Sequence, residues 1–260
     1  MISKNQIKYI QSLHQKKHRR EEGLFVAEGP KVVGDMMDVF DARQVVATRE
    51  WLSRNTVPPH TELIEVNEEE LRKVSFLQHP QQVLALFPIP ATSDSQFSNL
   101  DGQSSPNTLS LALDGVQDPG NLGTIIRIAD WFGIETVYCS EDTADAYNPK
   151  VVQATMGSIA RVRVVYTDLI SFIDRLPPDT PIYGTFLDGE SIYEQQELSA
   201  HGLLVMGNEG NGISQPVAER IDRRLLIPPF PSGRYTADSL NVAIATAIVC
   251  AEFRKRFHQS

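Results

Sequence analysis

Hydrophobic positions change their period several times along the chain. Ile7, Ile10, Leu13 and His14 stand at helical spacing, which predicts one amphipathic helix over residues 5–18 with Lys8, Lys16 and Lys17 among its polar positions. After Gly23, short apolar runs alternate with helical stretches. Strands are expected over 24–27, 44–47, 63–66 and 83–87, with a helix from 30 to about 39. A second helix is expected after Asn67, with Glu68, Glu69 and Glu70 in the first turn, where the helix dipole favours acids. This is the pattern of a small α/β domain. Residues 88–107, PIPATSDSQFSNLDGQSSPN, have no period and read as a linker. Strands then recur over 109–113, 136–139, 162–165, 182–186, 203–206 and 225–227, with helices over 122–132, 149–159, 168–176, 215–221 and 239–257 between and after them. Apolar strands alternating with helices predict a parallel sheet covered on both faces. Ligands of such sheets sit beyond the carboxyl ends of the strands, which singles out the loops after Leu113, Phe186, Met206 and Ile227. The expected division is a domain over residues 1–90, a linker over 91–107 and a second domain over 108–260.

Composition changes this picture little. A chain of 260 residues, 41% hydrophobic and 22% charged, is an ordinary soluble protein with room for two domains. No apolar run reaches the roughly 18 residues of a membrane span, and the start, MISKNQIKYI, lacks the apolar core of a secretion signal. Cys139 and Cys250 lie far apart in apolar contexts and are expected as core thiols in a reducing cytoplasm. Charge is more informative. The net value is −9, yet residues 4–31 carry Lys4, Lys8, Lys16, Lys17, Arg19, Arg20 and Lys31 against Glu21, Glu22 and Glu28. Lys16, Lys17, Arg19 and Arg20 are therefore candidate phosphate contacts, with a solvated surface helix as the alternative. His14 and His18 stand at i, i+4 and could share a metal, but no third ligand is in view and no metal site is expected.

Candidate chemistry concentrates in the last third. In LLVMGNEGNG, residues 203–212, an apolar run ends in Gly207, Gly210 and Gly212, which are expected to turn the backbone with positive φ and to let a ligand approach closely. Asn208 and Glu209 are polar contacts inside that turn. DSLNVAIATA, residues 238–247, opens with Asp238 and Ser239 as N-cap types before an Ala-rich helix. The loop after Leu113 carries Asn121 and leads to Arg127, for which a helix cap and a surface arginine are the plainer reading. No Gly-x-Gly-x-x-Gly fingerprint and no Walker lysine is present, so neither a dinucleotide site nor a phosphate-binding loop is expected.

Taken together, Asn121-x-Gly123-x-x-x-Arg127, Gly207-Asn208-Glu209-Gly210-x-Gly212, and Ile227-Pro228 followed by Ser239-Leu240-Asn241-Val242 resemble the three motifs of the SpoU (TrmH-like) RNA 2′-O-ribose methyltransferases of the SPOUT superfamily. ATMGS, residues 154–158, adds to the match, and FVAEG, residues 25–29, is similar to the L30e-like RNA-binding domain that many members carry. The resemblance implies an α/β fold: a trefoil-knotted, parallel-sheet catalytic domain beside a smaller N-terminal L30e-like domain, acting as a cytoplasmic homodimer. It implies S-adenosylmethionine as cofactor, held by Gly207, Asn208, Ile227 and Leu240 with Phe186 and Met206 nearby. Asn121, Arg127, Glu209, Ser239 and Asn241 would then line the place where the methyl group meets the ribose. The expected partner is RNA rather than DNA, because the reacting atom is a 2′-hydroxyl, and ribosomal RNA rather than tRNA. A tRNA ribose methyltransferase and a non-catalytic RNA-bound dimer of the same fold are the alternatives. The stretch 229–238 is longer than the family's usual loop, and Arg234 and Tyr235 in it could touch RNA or a partner subunit. Family habit makes Arg127 a base, but a guanidinium is effectively always charged, and a clamp on phosphate and developing oxyanion is the better physical reading.

Overall fold

The computed structural model describes residues 2–90, 108–195, 198–231, 233, 235 and 237–255. The chain forms two compact units, Met1–Ala91 with Asp145–Arg161, and Thr92–Ala144 with Val162–Ser260.

In the first unit, helix α1 (Lys4–Ser12) opens on a capping box in which the Ser3 hydroxyl accepts from Gln6 N and the Gln6 side chain accepts from Ser3 N. It does not run on to residue 18. A second helix, α2 (Lys16–Glu22), starts after Gln15 and stops at Gly23, whose φ of 63° is left-handed. The single helix expected over 5–18 is thus two, and His14 and His18 do not share one helix. Arg19 explains the break. Its Nη1 donates to Leu13 O and His14 O, both at 2.7 Å, carbonyls that a continuous helix would have committed to N–H groups four residues on.

Four strands follow: β1 (Leu24–Glu28), β2 (Gln44–Thr48), β3 (Glu62–Val66) and β4 (Val83–Pro88). Their order is β1-β4-β2-β3, with β4 antiparallel to both neighbours and β2 parallel to β3. Helices α3 (Pro30–Met37), α4 (Arg49–Leu52) and α5 (Glu68–Val74) join them. The short α4 has no periodic signature in the sequence; it forms because the Thr48 side chain accepts from Trp51 N. Val26, Val46, Leu84 and Leu86 of the sheet pack with Ile10, Leu13, Leu71 and Val74. Asp145–Arg161 belongs to this unit and holds α7 (Pro149–Thr155) and a 3-10 turn, Ser158–Ala160. The helix expected over 149–159 breaks because Met156 and Gly157 adopt left-handed φ values of 52° and 94°. The Tyr147 ring lies 4.9 Å from that of Phe25.

The second unit is a six-stranded sheet in the order β10-β8-β9-β5-β6-β7, parallel throughout. Its strands are β5 (Leu109–Asp114), β6 (Thr136–Cys139), β7 (Arg163–Tyr166), β8 (Ile182–Ser191), β9 (Gly202–Gly207) and β10 (Arg223–Leu226). Helices α6 (Pro119–Trp131), α8 (Leu169–Ile173), α9 (Gln215–Ala218) and α10 (Val242–Lys255) connect or follow them. Two helix starts differ from expectation. Asp118, not Asn121, caps α6 by accepting from Asn121 N at 2.8 Å, with Pro119 in the first position. Asn241, not Asp238 or Ser239, caps α10: its Oδ1 accepts from Ala243 N and Ile244 N at 3.0 and 3.3 Å. Residues 256–257, expected as the end of this helix, lie outside the described residues. Both cysteines are buried and unpaired, and burial pushes the Cys250 thiol up to about 12.

Candidate active site

The motif segments meet at the carboxyl ends of β8, β9 and β10. A cleft of about 470 Å³ opens there, lined among others by Phe186 and Leu187 of β8, the loop after β9, Ile227, and Ser239 and Leu240 before α10. That volume suits a small-molecule ligand.

The loop after β9 is shaped by two devices. Gly207 passes so close to the returning chain that a Cβ there would stand 2.2 Å from Gly212 C and 2.3 Å from Ile213 N, so no other residue fits. Asn208 N donates to Gly212 O and Gly212 N donates back to Asn208 O, at 2.9 and 3.0 Å. The Asn208 side chain organises the rest, its Oδ1 accepting from Gly210 N and Asn211 N while its Nδ2 donates to Gly115 O at 2.6 Å. Of the three glycines expected to have positive φ, only Gly212 does, at 70°; Gly207 is required by contact instead.

A hydrogen-bonded chain of side chains ties three segments together. Asn241 Nδ2 donates to Asn121 Oδ1 at 2.9 Å, and Asn121 Nδ2 donates to Glu209 Oε1 at 2.9 Å. Gln117 N and Asp118 N also point at the Glu209 carboxylate, at a longer 3.4 Å. Burial pushes the Glu209 carboxyl up, but the Asn121 amide and the backbone N–H groups of Glu209, Gln117 and Asp118 outweigh it and hold its pKa below the usual carboxylate range. Helices α6 and α10 lie side by side and start together here. Their far ends are joined as well, Arg254 donating to Phe132 O at 2.8 Å and to Gly133 O at 3.2 Å. Two aligned helix dipoles thus turn their positive ends toward one place, which favours negative charge in it.

The structure brings together Phe186, Met206, Gly207, Asn208, Glu209, Ile227, Ser239 and Leu240 as cleft lining, with Asn121 bonded to Glu209 and Asn241 bonded to Asn121. Arg127 stands apart. Six residues beyond Asn121, it is about 9 Å farther along the axis and a third of a turn around it. It is exposed on the side of α6 that carries Thr124 and Trp131, and among the described residues it has no ion-pair partner. Within one chain the helix therefore does not aim Asn121 and Arg127 at the same point. Tyr235 is exposed, and Arg234 lies outside the described residues.

In the first unit Lys16, Lys17 and Arg20 are exposed. Arg19 is not, which corrects its reading as a phosphate contact. It is 1% exposed, with Nη2 donating to Asp145 Oδ2 at 2.6 Å, so its charge is spent inside the fold. Among the described residues no cluster of three or more metal-ligating side chains occurs, and no helix is long and apolar enough to cross a membrane.

The cleft fits S-adenosylmethionine on its own chemistry. Apolar side chains of Phe186, Met206, Ile227 and Leu240 offer surface to a purine. Sheet and site together define an α/β domain with a ligand cleft beyond the carboxyl ends of a parallel sheet. Residues 108–251 match the SpoU rRNA Methylase family and residues 4–85 the MRM3-like substrate binding domain. The chain belongs to the SpoU rRNA methylase family and is an S-adenosylmethionine-dependent RNA 2′-O-ribose methyltransferase. A curated relative, 23S rRNA (guanosine(2553)-2′-O)-methyltransferase RlmP of Bacillus subtilis, is 31% identical over 97% of both chains. A TrmH-family structure from Porphyromonas gingivalis is 42% identical, with a TM-score of 0.84 over 98% of this chain and 99% of that one. The AdoMet-bound rRNA methyltransferase of Sinorhizobium meliloti is 32% identical, with a TM-score of 0.84 over 98% and 97%.

Proposed function

We propose that the enzyme methylates ribosomal RNA as a homodimer in the cytoplasm, through a trefoil-knotted catalytic domain, with the smaller domain holding the RNA. The observation that carries the assignment of roles is the Asn241–Asn121–Glu209 chain, which joins the three motif segments at the mouth of one cleft. The cofactor supplies an electrophilic methyl group on a sulfonium. Gly207, Ile227 and Leu240 hold it largely through backbone, against the walls formed by Phe186, Met206 and Asn208. Glu209 fixes Asn121, and Asn121 with Asn241 and Ser239 orients the ribose hydroxyl. The two helix N-termini stabilise negative charge as it develops on O2′, and Arg127, which points away from the cleft of its own chain, adds its charge at the cleft of the second copy in the homodimer. A guanidinium is a poor base and a good fork for oxyanions, so Arg127 clamps the neighbouring phosphate rather than removing a proton.

Dimer formation is supported by apolar side chains left in the open on α6 and at the start of α10: Trp131 is 84% exposed and Ile244 53%. Packing these side chains against a second copy would take their apolar surface out of water. For RNA, Lys16, Lys17 and Arg20 are the phosphate contacts. Their joint change to Ala is expected to weaken RNA binding and flatten its salt dependence, and an unchanged salt slope would return α2 to a solvated surface helix. The enzyme is tested directly with radiolabelled S-adenosylmethionine against total rRNA, tRNA and single-stranded DNA. Label is expected in rRNA as alkali-resistant dinucleotides, the mark of 2′-O-methylation. Label in tRNA alone rejects the substrate, and sedimentation as a monomer at micromolar concentration rejects the dimer.

A further inference from the structure

The β8 wall of the cleft is not built as an ordinary strand. β8 pairs with β9 only over Ile182, Tyr183 and Gly184. Against β10 the register runs Arg224↔Gly184 and then jumps to Leu225↔Glu190. Residues 185–189 therefore bulge out with no ladder on either side, and it is this stretch that places Phe186 and Leu187 in the cleft. A bulge disrupts the ladder locally and re-aims side chains, so its shape must be set by something other than ladder hydrogen bonds.

Arg224 stands where that is done. Its guanidinium carbon lies 3.4 Å from the centroid of the Phe186 ring, a cation–π contact, while its Nη2 donates to Asp188 Oδ1 at 2.6 Å. The ring has little room to move. Its Cε2 is 2.8 Å from where a Cβ on Gly184 would stand, so the ring uses the space that glycine leaves. The bulge closes as tightly, a Cβ on Gly189 meeting Arg224 O at 2.7 Å. Arg224 itself does not line the cleft. One side chain of β10 thus grips the bulge at its aromatic member and at its acid, from behind the cofactor wall.

We propose that Arg224 is a positioning residue for cofactor binding: held by Asp188 and stacked on Phe186, it fixes the shape of the 185–189 bulge and with it one wall of the cleft. The role rests on the reading of the cleft as the S-adenosylmethionine site, and it acts through Phe186 rather than through the reaction.

Calorimetric titration with S-adenosylhomocysteine tests it without turnover. Arg224→Ala is expected to weaken binding about tenfold, equivalent to about 1.4 kcal/mol. Arg224→Lys, which keeps the charge but not the flat stacking surface, is expected to fall between that variant and the wild type. Asp188→Ala, at a residue whose side chain is 75% exposed and therefore safe for folding, should reproduce part of the loss. In turnover, KM for the cofactor should rise more than kcat falls. The decisive measurement is the double-mutant cycle. With Phe186→Leu in place, removing Arg224 should change binding less than twofold, because the ring it positions is gone. Wild-type affinity in both Arg224→Ala and Asp188→Ala, or an undiminished Arg224 effect in the Phe186→Leu background, overturns the proposal. Gly207→Val separates the two levels of the argument. If it leaves binding intact, the ligand is not in this cleft, and the cleft reading falls together with the role of Arg224. If it abolishes binding while Arg224→Ala does not weaken it, only the positioning role falls.

Discussion

Two carboxylates occupy the same local sequence pattern, an acid before glycine at the end of an apolar strand, and they have opposite fates. Glu28, ending β1 before Gly29, is 6% exposed; one oxygen accepts from the Ser75 hydroxyl and the other from Phe76 N at 2.8 Å. Burial pushes its pKa up, and those two hydrogen bonds only partly offset it. Glu209, after β9 and before Gly210, lies at the open mouth of the cleft, where hydrogen bonds hold its pKa down against burial. Glu28 is consumed by a loop it fastens. Glu209 is ionised and lines the cleft, bonded to Asn121. Motif likeness therefore says that a polar group is needed, and the surrounding donors decide whether it serves the fold or the chemistry.

The largest effect is expected at Arg127, the cation proposed for the same reaction as Glu209. Arg127→Ala removes one or two charge-assisted hydrogen bonds worth about 1.5 to 3 kcal/mol each, roughly tenfold or more in rate per bond. Arg127→Lys should keep part of the activity, and cofactor affinity should hardly move in either variant. Single-turnover methylation followed across pH decides the matter. A Lys variant that regains wild-type rate only near a lysine pKa would make position 127 a base.

Glu209→Gln should lower the methylation rate about tenfold, the cost of replacing one charged acceptor by a neutral one. Equal rates would remove Glu209 from the site and erase the distinction from Glu28.

Glu28→Ala should act on the fold alone. It leaves the part-buried Ser75 hydroxyl and Phe76 N–H without their acceptor, which costs about 1 kcal/mol in denaturant unfolding, with cofactor affinity unchanged in the folded protein.

The smallest effect carries the sharpest sign. A carboxyl with a raised folded pKa favours the folded state while protonated; that contribution is complete below the ordinary carboxylate range and is lost as pH rises through the folded value. Glu28→Gln should therefore gain on wild type in melting temperature as pH rises from about 4 to 7, taking the ordinary glutamate pKa of about 4.3 as the lower reference. Glu209→Gln should do the reverse. Its depressed pKa stabilises the fold above the ordinary range, a contribution lost as pH falls through the folded value. Parallel slopes in the two variants would mean that the environments are alike after all.

Much of the fold was legible because strands announce themselves by apolar runs. The expected strand over 136–139 coincides with β6, and 203–206 falls inside β9. Helix starts were less legible. Asp118, Asn121, Asp238, Ser239 and Asn241 are all of capping type or close to it, and only the position of neighbouring N–H groups selects among them. Arg19 shows the limit most plainly. Nothing in a run of Lys16, Lys17, Arg19 and Arg20 distinguishes the one that turns inward, because its partners are two carbonyls and an aspartate distant in sequence. For the same reason periodicity finds a helix after Asn148 but not the sheet on which Asp145–Arg161 packs. In the site, the glycine-rich loop and the two asparagines were visible as motifs. The clasp on the β8 bulge was not, since a register jump leaves no mark on composition.

The paired helices α6 and α10 also behave as a mechanical part. They are pinned at one end by Arg254 on Phe132 O and Gly133 O, and they meet at the other through Asn121 and Asn241. From pin to site is about 16 Å along α6 and about 20 Å along α10, at 1.5 Å per residue. Over such a lever, a tilt of about 5° at the pin swings the far end by about 1.5 Å, enough to part a hydrogen bond. Loss of Arg254 would thus be felt as misalignment at the opposite end of the helices.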